Sequence, residues 1–436
     1  MKYLFALPLT LALLAGCFGA FPVQPGVPTN LQASEDQGDA INLTWIAVPA
    51  AGAYLIYRDG AAAAYATSQI AAYRDTDVEA ERQYSYRVSA LDIYGQLESA
   101  QSDSDIGSTY GFSWQAAQSL ASGVLTYSAA AGGGSAYAAW SLTGGSIVIK
   151  RWDVDQKAWL DFSSPGSWVG GSRLTLGFQS QSLLCAYTGT SGLCVMVYNN
   201  TDKVWEARGT AGFATPASAR LLLAADNTYT YLAFNSGDPA IWRYGTIGGW
   251  AELDLSLLAD PALLNPSLEA LALNSGAPFI AVAHDTGVNR VVSTYRFATT
   301  WQATGFMTGL VAGPVAPTVG LVAQGSAIYA PLRLADNTVR LAVYDQGVWA
   351  DLTPTGFAGG NLDPVLVYHR QAAHLLQAAP AGAVLGRRYQ DEAWYYAGAN
   401  GATGIAAADS LQAVSLNDRL FVLSAKDGAL SVSIYE

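Results

Sequence analysis

Short apolar runs recur along the chain from about residue 110 to its end, and each repeat contains a run that finishes near an aromatic residue. Aligned on that residue, the runs are SIVIKRW, LCVMVY, AIWRY, VVSTYR, VRLAVY, VLGRRY and LSVSIY, with the aromatic residues at Trp152, Tyr198, Tyr244, Tyr295, Tyr344, Tyr389 and Tyr435. A tryptophan follows the first six, at Trp159, Trp205, Trp250, Trp301, Trp349 and Trp394. Two more apolar runs precede each aromatic residue. The pattern predicts seven units of four short strands, with a period of about 45–51 residues.

The seventh unit lacks its tryptophan, because the chain ends one residue after Tyr435. A matching tryptophan, Trp114, stands before the first unit in the segment GFSWQAA. We therefore predict that FSWQAA supplies the fourth strand of the last unit and pairs with LSVSIYE. Such a closure removes the exposed strand edges that promote aggregation.

Residues 28–109 show alternating runs of a different kind, including INLTW, AYLIYRDG and QYSYRVSAL, which predict a small β-sandwich. Leu31, Trp45 and the segment YRDTDVEAERQYSYRVSALDIYGQLES resemble a bacterial fibronectin type III domain. The resemblance implies that Trp45 is a buried core residue and that Tyr84 occupies the tyrosine-corner position. A spacer or a modest contact surface is the role we expect for this domain.

The repeats as a group resemble β-propeller repeats of bacterial secreted and surface proteins, most clearly in SGAPFIAVAHDTGVNRVVSTYRFATTW. The fold class we predict is therefore all-β. A fibronectin type III β-sandwich at 28–109 precedes a seven-bladed β-propeller at 110–436, which is closed by its N-terminal and C-terminal strands.

The first seventeen residues, MKYLFALPLTLALLAGC, combine one lysine with an apolar run too short to be a permanent membrane span. Their end, LAGC, resembles the lipobox of bacterial lipoproteins, which implies acylation of Cys17 and membrane anchoring through N-terminal acyl chains. Phe18 follows where an aspartate would favour retention in the inner membrane, so the resemblance implies the outer membrane of a bacterial cell envelope. The alternative is a cleavable signal with a chance cysteine. Residues 18–27 predict a proline-rich tether.

Cys185 and Cys194 lie in LLCAYTGTSGLCVMV, which predicts a β-hairpin. They would face each other across the hairpin if its turn held two or four residues. A chain outside the cytoplasm would then form a disulfide. Two free buried thiols are the alternative.

The charge of the chain excludes one class of partner. It has 22 basic and 34 acidic residues, a formal net charge of −12, and no basic cluster. Since phosphate contacts dominate nucleic-acid affinity, we expect no DNA or RNA partner.

No strong catalytic motif is present in the sequence, and we expect no cofactor and no metal. His369 and His374 in YHRQAAH lack the further ligands that zinc needs, and are expected to be solvated turn residues. Asp153 and Asp155 in DVDQKAW lack the glycine and glutamate of a calcium loop, so a surface turn is expected.

The connections between the repeats are small, apolar and weakly charged, and we expect them to form the ligand face. The candidate residues on this face are Trp168, Asp238, His284, Asp285 and Arg290. Ordinary solvated turns are the alternative for the four polar residues. Exposed apolar and aromatic loops suit protein contact or stacking on a sugar ring.

These features favour a binding or scaffolding protein that recognises a protein or polysaccharide partner. The alternatives are a hydrolase or lyase acting on extracellular glycan and a purely structural envelope protein. Residues lining the central channel would discriminate between the first two. Two or more carboxylates with a histidine or arginine favour the enzyme, and an alanine and serine lining favours binding.

Overall fold

The chain folds into two compact units, Met1–Phe112 and Ser113–Glu436. The computed structural model describes residues 22–34, 40–78, 82–109, 114–143, 145–166, 173–190, 192–210, 220–236, 238–255, 258, 263–286, 289–306, 318–353, 357–390, 393–397 and 402–436. These residues form strands and connections without any helix, so the protein is all-β. Within these ranges there is consequently no helix long and apolar enough to cross a membrane. The predicted signal and Cys17 lie outside the described residues.

The N-terminal unit consists of two antiparallel sheets that share one core. Its strands are β1 (Thr29–Ala33), β2 (Ile41–Ile46), β3 (Ala51–Arg58), β4 (Ala66–Ser68), β5 (Ala72–Asp75), β6 (Gln83–Asp92) and β7 (Asp105–Ser108). One sheet has the order β1-β2-β5 and the other the order β4-β3-β6-β7. Alternate residues of β2 are buried, as expected for strands with one face on the core. Trp45 is among these core residues, and its ring meets Tyr54 edge-on at 5.1 Å between centroids.

A buried carboxylate ties the second sheet of this unit to β5. Asp75 is fully buried and forms an ion pair with Arg58 at 3.0 Å between Nη1 and Oδ2. Tyr86 donates a hydrogen bond to Oδ2 at 2.6 Å, and Tyr65 donates one to Oδ1 at 3.0 Å. Burial and this carboxylate raise the pKa of the Tyr86 hydroxyl, so the tyrosine remains a donor at any physiological pH. Every oxygen of the buried charge is thus hydrogen-bonded.

The described residues of the C-terminal unit form seven sheets, here numbered in chain order. Sheet 1 has β9 (Val124–Gly132), β10 (Ser135–Leu142), β11 (Ile147–Asp153) and β12 (Ala158–Phe162); sheet 2 has β13 (Leu174–Gln179), β14 (Ser182–Gly189), β15 (Gly192–Asn199) and β16 (Val204–Ala207). Sheet 3 has β17 (Leu221–Ala225), β18 (Thr230–Ser236), β19 (Asp238–Gly245) and β20 (Gly249–Leu253); sheet 4 has β21 (Leu264–Asn274), β22 (Ala277–Thr286), β23 (Asn289–Phe297) and β24 (Trp301–Phe306).

Two of the later sheets depart from this arrangement: sheet 5 has more strands, and sheet 7 takes one strand from the start of the unit. Sheet 5 has six strands, β25 (Thr318–Val319), β26 (Val322–Gln324), β27 (Ala327–Arg333), β28 (Thr338–Asp345), β29 (Val348–Asp351) and β30 (Phe357–Ala358). Sheet 6 has β31 (Val365–His369), β32 (Ala372–Ala378), β33 (Val384–Gln390) and β34 (Ala393–Tyr396). Sheet 7 has β35 (Ser410–Leu416), β36 (Arg419–Lys426), β37 (Ala429–Tyr435) and, from the start of the unit, β8 (Gln118–Ala121).

The first strands of the seven sheets contact one another in a cycle. β13 lies against β9 and β17, β17 against β21, β21 against β25 and β26, β26 against β31, and β31 against β35. β35 in turn lies against β9, which brings sheet 7 to sheet 1. The Gln412 side chain of β35 forms two hydrogen bonds with β9. It accepts one from the Ala129 amide at 2.7 Å and donates one to the Tyr127 carbonyl at 3.1 Å.

The second strand of each sheet lies in the interior, with neighbouring sheets over both faces. β10, β22, β32 and β36 are buried over almost their whole length, which is why their sequences are continuous apolar runs such as SAYAAWSL. The outer strands β16 and β29 are largely exposed, and each carries one acidic residue, Glu206 and Asp351 respectively. The apolar and polar runs within each sequence repeat thus reflect how deeply the corresponding strand is buried in the unit.

The last sheet is completed by residues from the start of the unit. Trp114 forms an isolated bridge with Tyr435, and the Gln115 amide donates to the Ile434 carbonyl at 2.8 Å. The pairing continues as β8, from Gln118 opposite Val432 to Ala121 opposite Leu430. The segment in contact therefore extends further along the chain than FSWQAA, whose first two residues lie outside the described ranges.

The recurring tryptophan makes the same two contacts in several sheets. In sheet 2, Trp205 lies opposite Tyr198 and its indole nitrogen donates at 3.0 Å to the Ser163 carbonyl, directly after the last strand of sheet 1. Trp250 and Trp394 likewise donate to the carbonyl groups of Arg208 and Leu352, at 2.7 and 2.8 Å, each directly after the strand that carries the preceding tryptophan of the series. In sheet 4 the register of the hairpin places Trp301 opposite Phe297, whereas the aligned Tyr295 lies opposite Ala303.

The predicted disulfide between Cys185 and Cys194 is not formed, and both thiols are free and buried. The reason is the register of the hairpin, in which Gly189 pairs with Gly192. Cys185 therefore lies opposite Met196, and Cys194 lies opposite Tyr187. The turn is centred one residue later than a direct cysteine pair requires, which offsets the two side chains by two positions.

Candidate functional site

A cavity of about 450 Å³ opens where the first strands of four sheets begin. We call it the four-sheet cavity, since its walls come from the starts of β17, β25 and β26, β31 and β35. Its charged residues are Arg220, Arg333, Asp363 and Asp409, and its polar residues include Thr318, Asn361 and Ser410. Because these sheets are not all neighbours, the cavity reaches across the middle of the C-terminal unit.

The charges at the four-sheet cavity are partnered. Arg333 donates from Nη2 and Nε to one oxygen of Asp363, at 2.8 and 3.2 Å. Arg220 donates to Glu269 at 2.7 Å. Asp409 accepts from Lys426 at 2.8 Å and from a backbone amide at 2.9 Å, and these bonds hold its pKa below the usual range of a carboxyl. The cavity therefore presents fixed donors next to fixed acceptors.

This lining has consequences for chemistry. Asp363 and Asp409 with two arginines meet the composition that would favour an enzyme. A glycosidase, however, needs one carboxylic acid whose pKa is raised so that it can protonate a leaving group. Lys426 lowers the pKa of Asp409, so this carboxyl remains an acceptor and does not act as a proton donor near neutral pH. The geometry suits hydrogen bonding to a polar ligand better than proton transfer.

A second cavity, of about 540 Å³, lies between sheets 3 and 4. We call it the leucine cavity, after Leu255, Leu258 and Leu263 in its wall. Prolines at 239 and 266 add to the apolar surface, and Asp238, Glu252 and Asp254 stand at its rim. Among the ligand-face candidates that lie in the described part of the chain, Asp238 is thus the one that lines a cavity.

Asp285 and Arg290 belong to a polar network along sheet 4. Arg290 donates to Asp285 at 3.0 Å and to the Ser267 hydroxyl at 2.6 Å. Ser267 donates to Glu269 at 2.7 Å, the carboxylate that also holds Arg220. Hydrogen bonds from Asn265 and then from Arg290 lower the pKa of Asp285. The network connects the β22–β23 hairpin with the four-sheet cavity.

Of the other predicted residues that the structure describes, none lines either cavity. His284 is buried on β22, with its Nε2 at 2.9 Å from the Ser293 hydroxyl. Trp168 lies outside the described residues. Asp153 accepts from the amides of residues 155 and 156 at 3.1 and 2.9 Å, as in a surface turn.

The prediction that His369 and His374 are solvated turn residues is wrong. Both lie on strands and are 1–2% exposed, because sheet 7 covers them. Their rings are 5.3 Å apart and pack near Tyr435. His369 Nδ1 lies 2.8 Å from the Ser415 hydroxyl. Among the described residues no group of three or more histidine, cysteine or acidic side chains could hold a metal ion.

Sequence reasoning missed the charged residues of the four-sheet cavity. A signal was present, since Arg220, Asp363 and Asp409 each stand directly or almost directly before the first apolar run of a repeat. Charged residues at equivalent positions of several repeats lie close together when the first strands of the sheets lie side by side, as they do here. Arg333 carries no such signal, because it stands at the end of β27 and not before the first apolar run of its repeat.

Comparison with known proteins identifies similar structures and no family. No protein-family profile and no curated protein matches the chain. A solved Fn3-like protein from Clostridium thermocellum is 33% identical over 20% of this chain and 95% of its own, with a TM-score of 0.18. The AofleA protein of Arthrobotrys oligospora is 13% identical over 66% of this chain and 91% of its own, with a TM-score of 0.42. A fucose-specific lectin from Aleuria aurantia is 16% identical over 65% of this chain and 98% of its own, with a TM-score of 0.42.

Proposed function

We propose that this chain is a binding protein of the bacterial cell envelope whose C-terminal unit recognises a polysaccharide in the four-sheet cavity. Acyl chains on Cys17 anchor it, by the resemblance of LAGC to a lipobox, and the N-terminal unit is a fibronectin type III spacer. We expect these acyl chains to insert into the outer membrane. The observation that carries the binding proposal is the set of paired donors and acceptors at the cavity.

The C-terminal unit is, in this proposal, a seven-bladed β-propeller. Three observations support it: seven successive sheets, the cycle of contacts between their first strands, and the pairing of β8 with β37. Ligand sites of repeat folds form where connections from many repeats converge. The four-sheet cavity occupies such a place, at the starts of β17, β25, β31 and β35.

A polysaccharide suits the lining of this cavity. Each sugar hydroxyl both donates and accepts, so it is satisfied best by a donor and an acceptor held side by side. Arg333 with Asp363 is such a pair, and Asn361, Thr318 and Ser410 add neutral partners. The volume falls in the range of about 300–1,000 Å³ typical of ligand pockets.

The test is a glycan array probed with the purified protein and two double variants. Arg333→Ala with Asp363→Ala removes the pair at the cavity. Arg340→Ala with Asp351→Ala removes another exposed pair on sheet 5, also 2.8 Å apart, which does not line the cavity. We expect the first variant to lose the glycans that the unchanged protein retains, and the second to retain them. Equal retention by all three proteins, or by none, contradicts the proposal.

A glycan-active hydrolase or lyase is the second candidate, favoured by the presence of Asp363 and Asp409 beside two arginines. Incubating the protein with each polysaccharide it binds, and measuring new reducing ends, decides between the two. Release of reducing ends that stops in the Asp363→Asn and Asp409→Asn variants would establish the enzyme. Binding without release supports a non-catalytic role.

The anchoring part of the proposal has its own test. Mass spectrometry of the mature protein from a bacterial host is expected to show an acylated N-terminus at Cys17, which Cys17→Ser abolishes. A Cys185→Ser variant, changed at an interior thiol, serves as the control. An unmodified N-terminus beyond residue 17 contradicts acylation.

A further inference from the structure

Each charged side chain among the described lining residues of the four-sheet cavity has a hydrogen-bonded partner of opposite charge. The ion pairs are Arg333 with Asp363 at 2.8 Å, Arg220 with Glu269 at 2.7 Å, and Asp409 with Lys426 at 2.8 Å. Three cations thus face three carboxylates, so the formal charges of the lining and its partners cancel. The described lining is polar without being charged overall.

The sequence around the cavity supplies no further charge that could change this balance. The stretches that precede the first strands of its four sheets are residues 210–219, 307–317, 354–362 and 397–408. None of these four stretches contains an aspartate, glutamate, lysine or arginine. The cancellation of charge therefore does not depend on how these connections are arranged.

Hydrogen bonds also fix these charges in place. All three guanidinium nitrogens of Arg333 donate, Nε and Nη2 to Asp363 and Nη1 to the Asn337 side chain at 3.3 Å. Both carboxylate oxygens of Asp409 accept, one from Lys426 at 2.8 Å and the other from a backbone amide at 2.9 Å. A charged ligand group would have to displace one of these partners to obtain a counter-charge of its own.

Resting on the proposed polysaccharide function, we infer that the four-sheet cavity selects uncharged glycans and rejects uronic acids and amino sugars. A sugar hydroxyl can donate to a paired carboxylate and accept from a paired guanidinium, because both groups keep spare lone pairs and N–H groups. A sugar carboxylate or ammonium would lose water at the cavity, where the described lining offers no unpaired charge of opposite sign. For a carboxylate, the net charge of −12 adds long-range repulsion.

The experiment changes the charge of the cavity by one unit in either direction. Asp363→Asn removes the carboxylate that neutralises Arg333, and Arg333→Gln removes the cation that neutralises Asp363. The matched control is Asp351→Asn, which removes the carboxylate 2.8 Å from Arg340 on sheet 5, outside the cavity lining. The full chain and the three variants are applied to one array of neutral glycans, oligogalacturonates and glucosamine oligomers. Melting temperatures identify any variant that fails to fold.

We expect the unchanged protein to bind neutral glycans alone, and Asp351→Asn to bind the same set. Asp363→Asn should gain oligogalacturonate binding by at least about tenfold, because Arg333 can then form charge-assisted hydrogen bonds with a uronate. Arg333→Gln should gain glucosamine oligomers by a similar factor. Binding of a neutral glycan should change by less than about twofold between roughly 50 and 500 mM salt, since no new ion pair forms.

The inference and the function on which it rests fail in different ways. Charged glycans that bind the unchanged protein, and are lost by Arg333→Ala with Asp363→Ala, overturn the charge selection while supporting a polysaccharide site. The absence of any gain in a variant that melts normally also overturns the charge selection. If no glycan binds in a cavity-dependent way, the proposed function is wrong and this inference is wrong with it.

Discussion

Trp114 lies against Tyr435 with their ring centroids 4.9 Å apart, although one stands at the start of the C-terminal unit and the other is the penultimate residue of the chain. Its indole nitrogen donates to the Ala397 carbonyl at 2.7 Å, directly after the last strand of sheet 6. Trp205 makes the corresponding contacts inside the unit. Gly386 leaves room for Trp114, since a Cβ there would lie 3.1 Å from its ring.

The equivalence of the two tryptophans predicts equal effects of removing them. Trp114→Ala and Trp205→Ala should each lower the melting temperature of the C-terminal unit by roughly 5–10 °C, since both lose a ring contact and a hydrogen bond. Differential scanning calorimetry checks this. Deleting residues 111–118 should lower it further and promote aggregation, because the edge of β37 is exposed. A Trp114→Ala protein that melts normally would show that the closing strand is dispensable.

The buried histidines predict that the C-terminal unit becomes less stable as the pH is lowered. Burial lowers the pKa of His369 to about 4 and that of His374 to about 3, with nearby cationic groups adding to the effect. The unfolded chain takes up these protons near pH 6.5, while the folded unit does not. Stability is therefore complete above about pH 6.5 and decreases as the pH falls toward 4, by about 1.4 kcal/mol per pH unit for each imidazole.

Melting temperatures between pH 7.5 and 5.5 check this slope, in a range where few carboxylates titrate. His374→Leu should reduce the slope, because one of the two proton-binding groups is gone. The same slope in the variant, or no slope in the unchanged protein, would assign the pH dependence to other groups.

Asp75 is the carboxylate on which the N-terminal unit depends. Asp75→Ala leaves the Arg58 guanidinium and the Tyr86 hydroxyl without their buried acceptor, and should destabilise the unit by about 3 kcal/mol, or roughly 15 °C. Asp77 is the matched control, since it also pairs with Arg58 but is 84% exposed. Asp77→Ala should shift the melting temperature by less than roughly 3 °C. Similar shifts in both variants would contradict the importance of the buried pair.

The interior cysteines should behave as unreactive thiols. Burial raises the pKa of the Cys185 thiol, which suppresses the thiolate that reacts with disulfide reagents. In a Cys17→Ser background we expect no reaction with dithionitrobenzoate in the native protein, and reaction of both thiols in guanidinium without reductant. Absence of thiols in guanidinium would show that Cys185 and Cys194 are oxidised to each other.

The features predicted from sequence are those that each repeat carries by itself. Tyr198 and Trp205 face each other across a short hairpin, so their spacing recurs and reveals the strands and the missing seventh tryptophan. The sequence pattern does not show whether a turn lies one residue earlier or later. That one-residue difference keeps Cys185 from facing Cys194. Contacts between distant strands leave no local pattern. The burial of His369 depends on β35 and β37, and the meeting of Arg333 with Asp363 depends on the packing of sheets 5 and 6.

The four-sheet cavity exists only if the sheets close, so closure is the central claim, and an engineered cross-link tests it most directly. Ser119 of β8 and Ser431 of β37 are Cα partners, a spacing of about 4.5–5.5 Å that suits a disulfide. In the Ser119→Cys, Ser431→Cys variant, non-reducing peptide mapping by mass spectrometry should recover a peptide that joins these two positions and disappears on reduction. Free thiols at both positions after mild oxidation of the folded protein would contradict the closure.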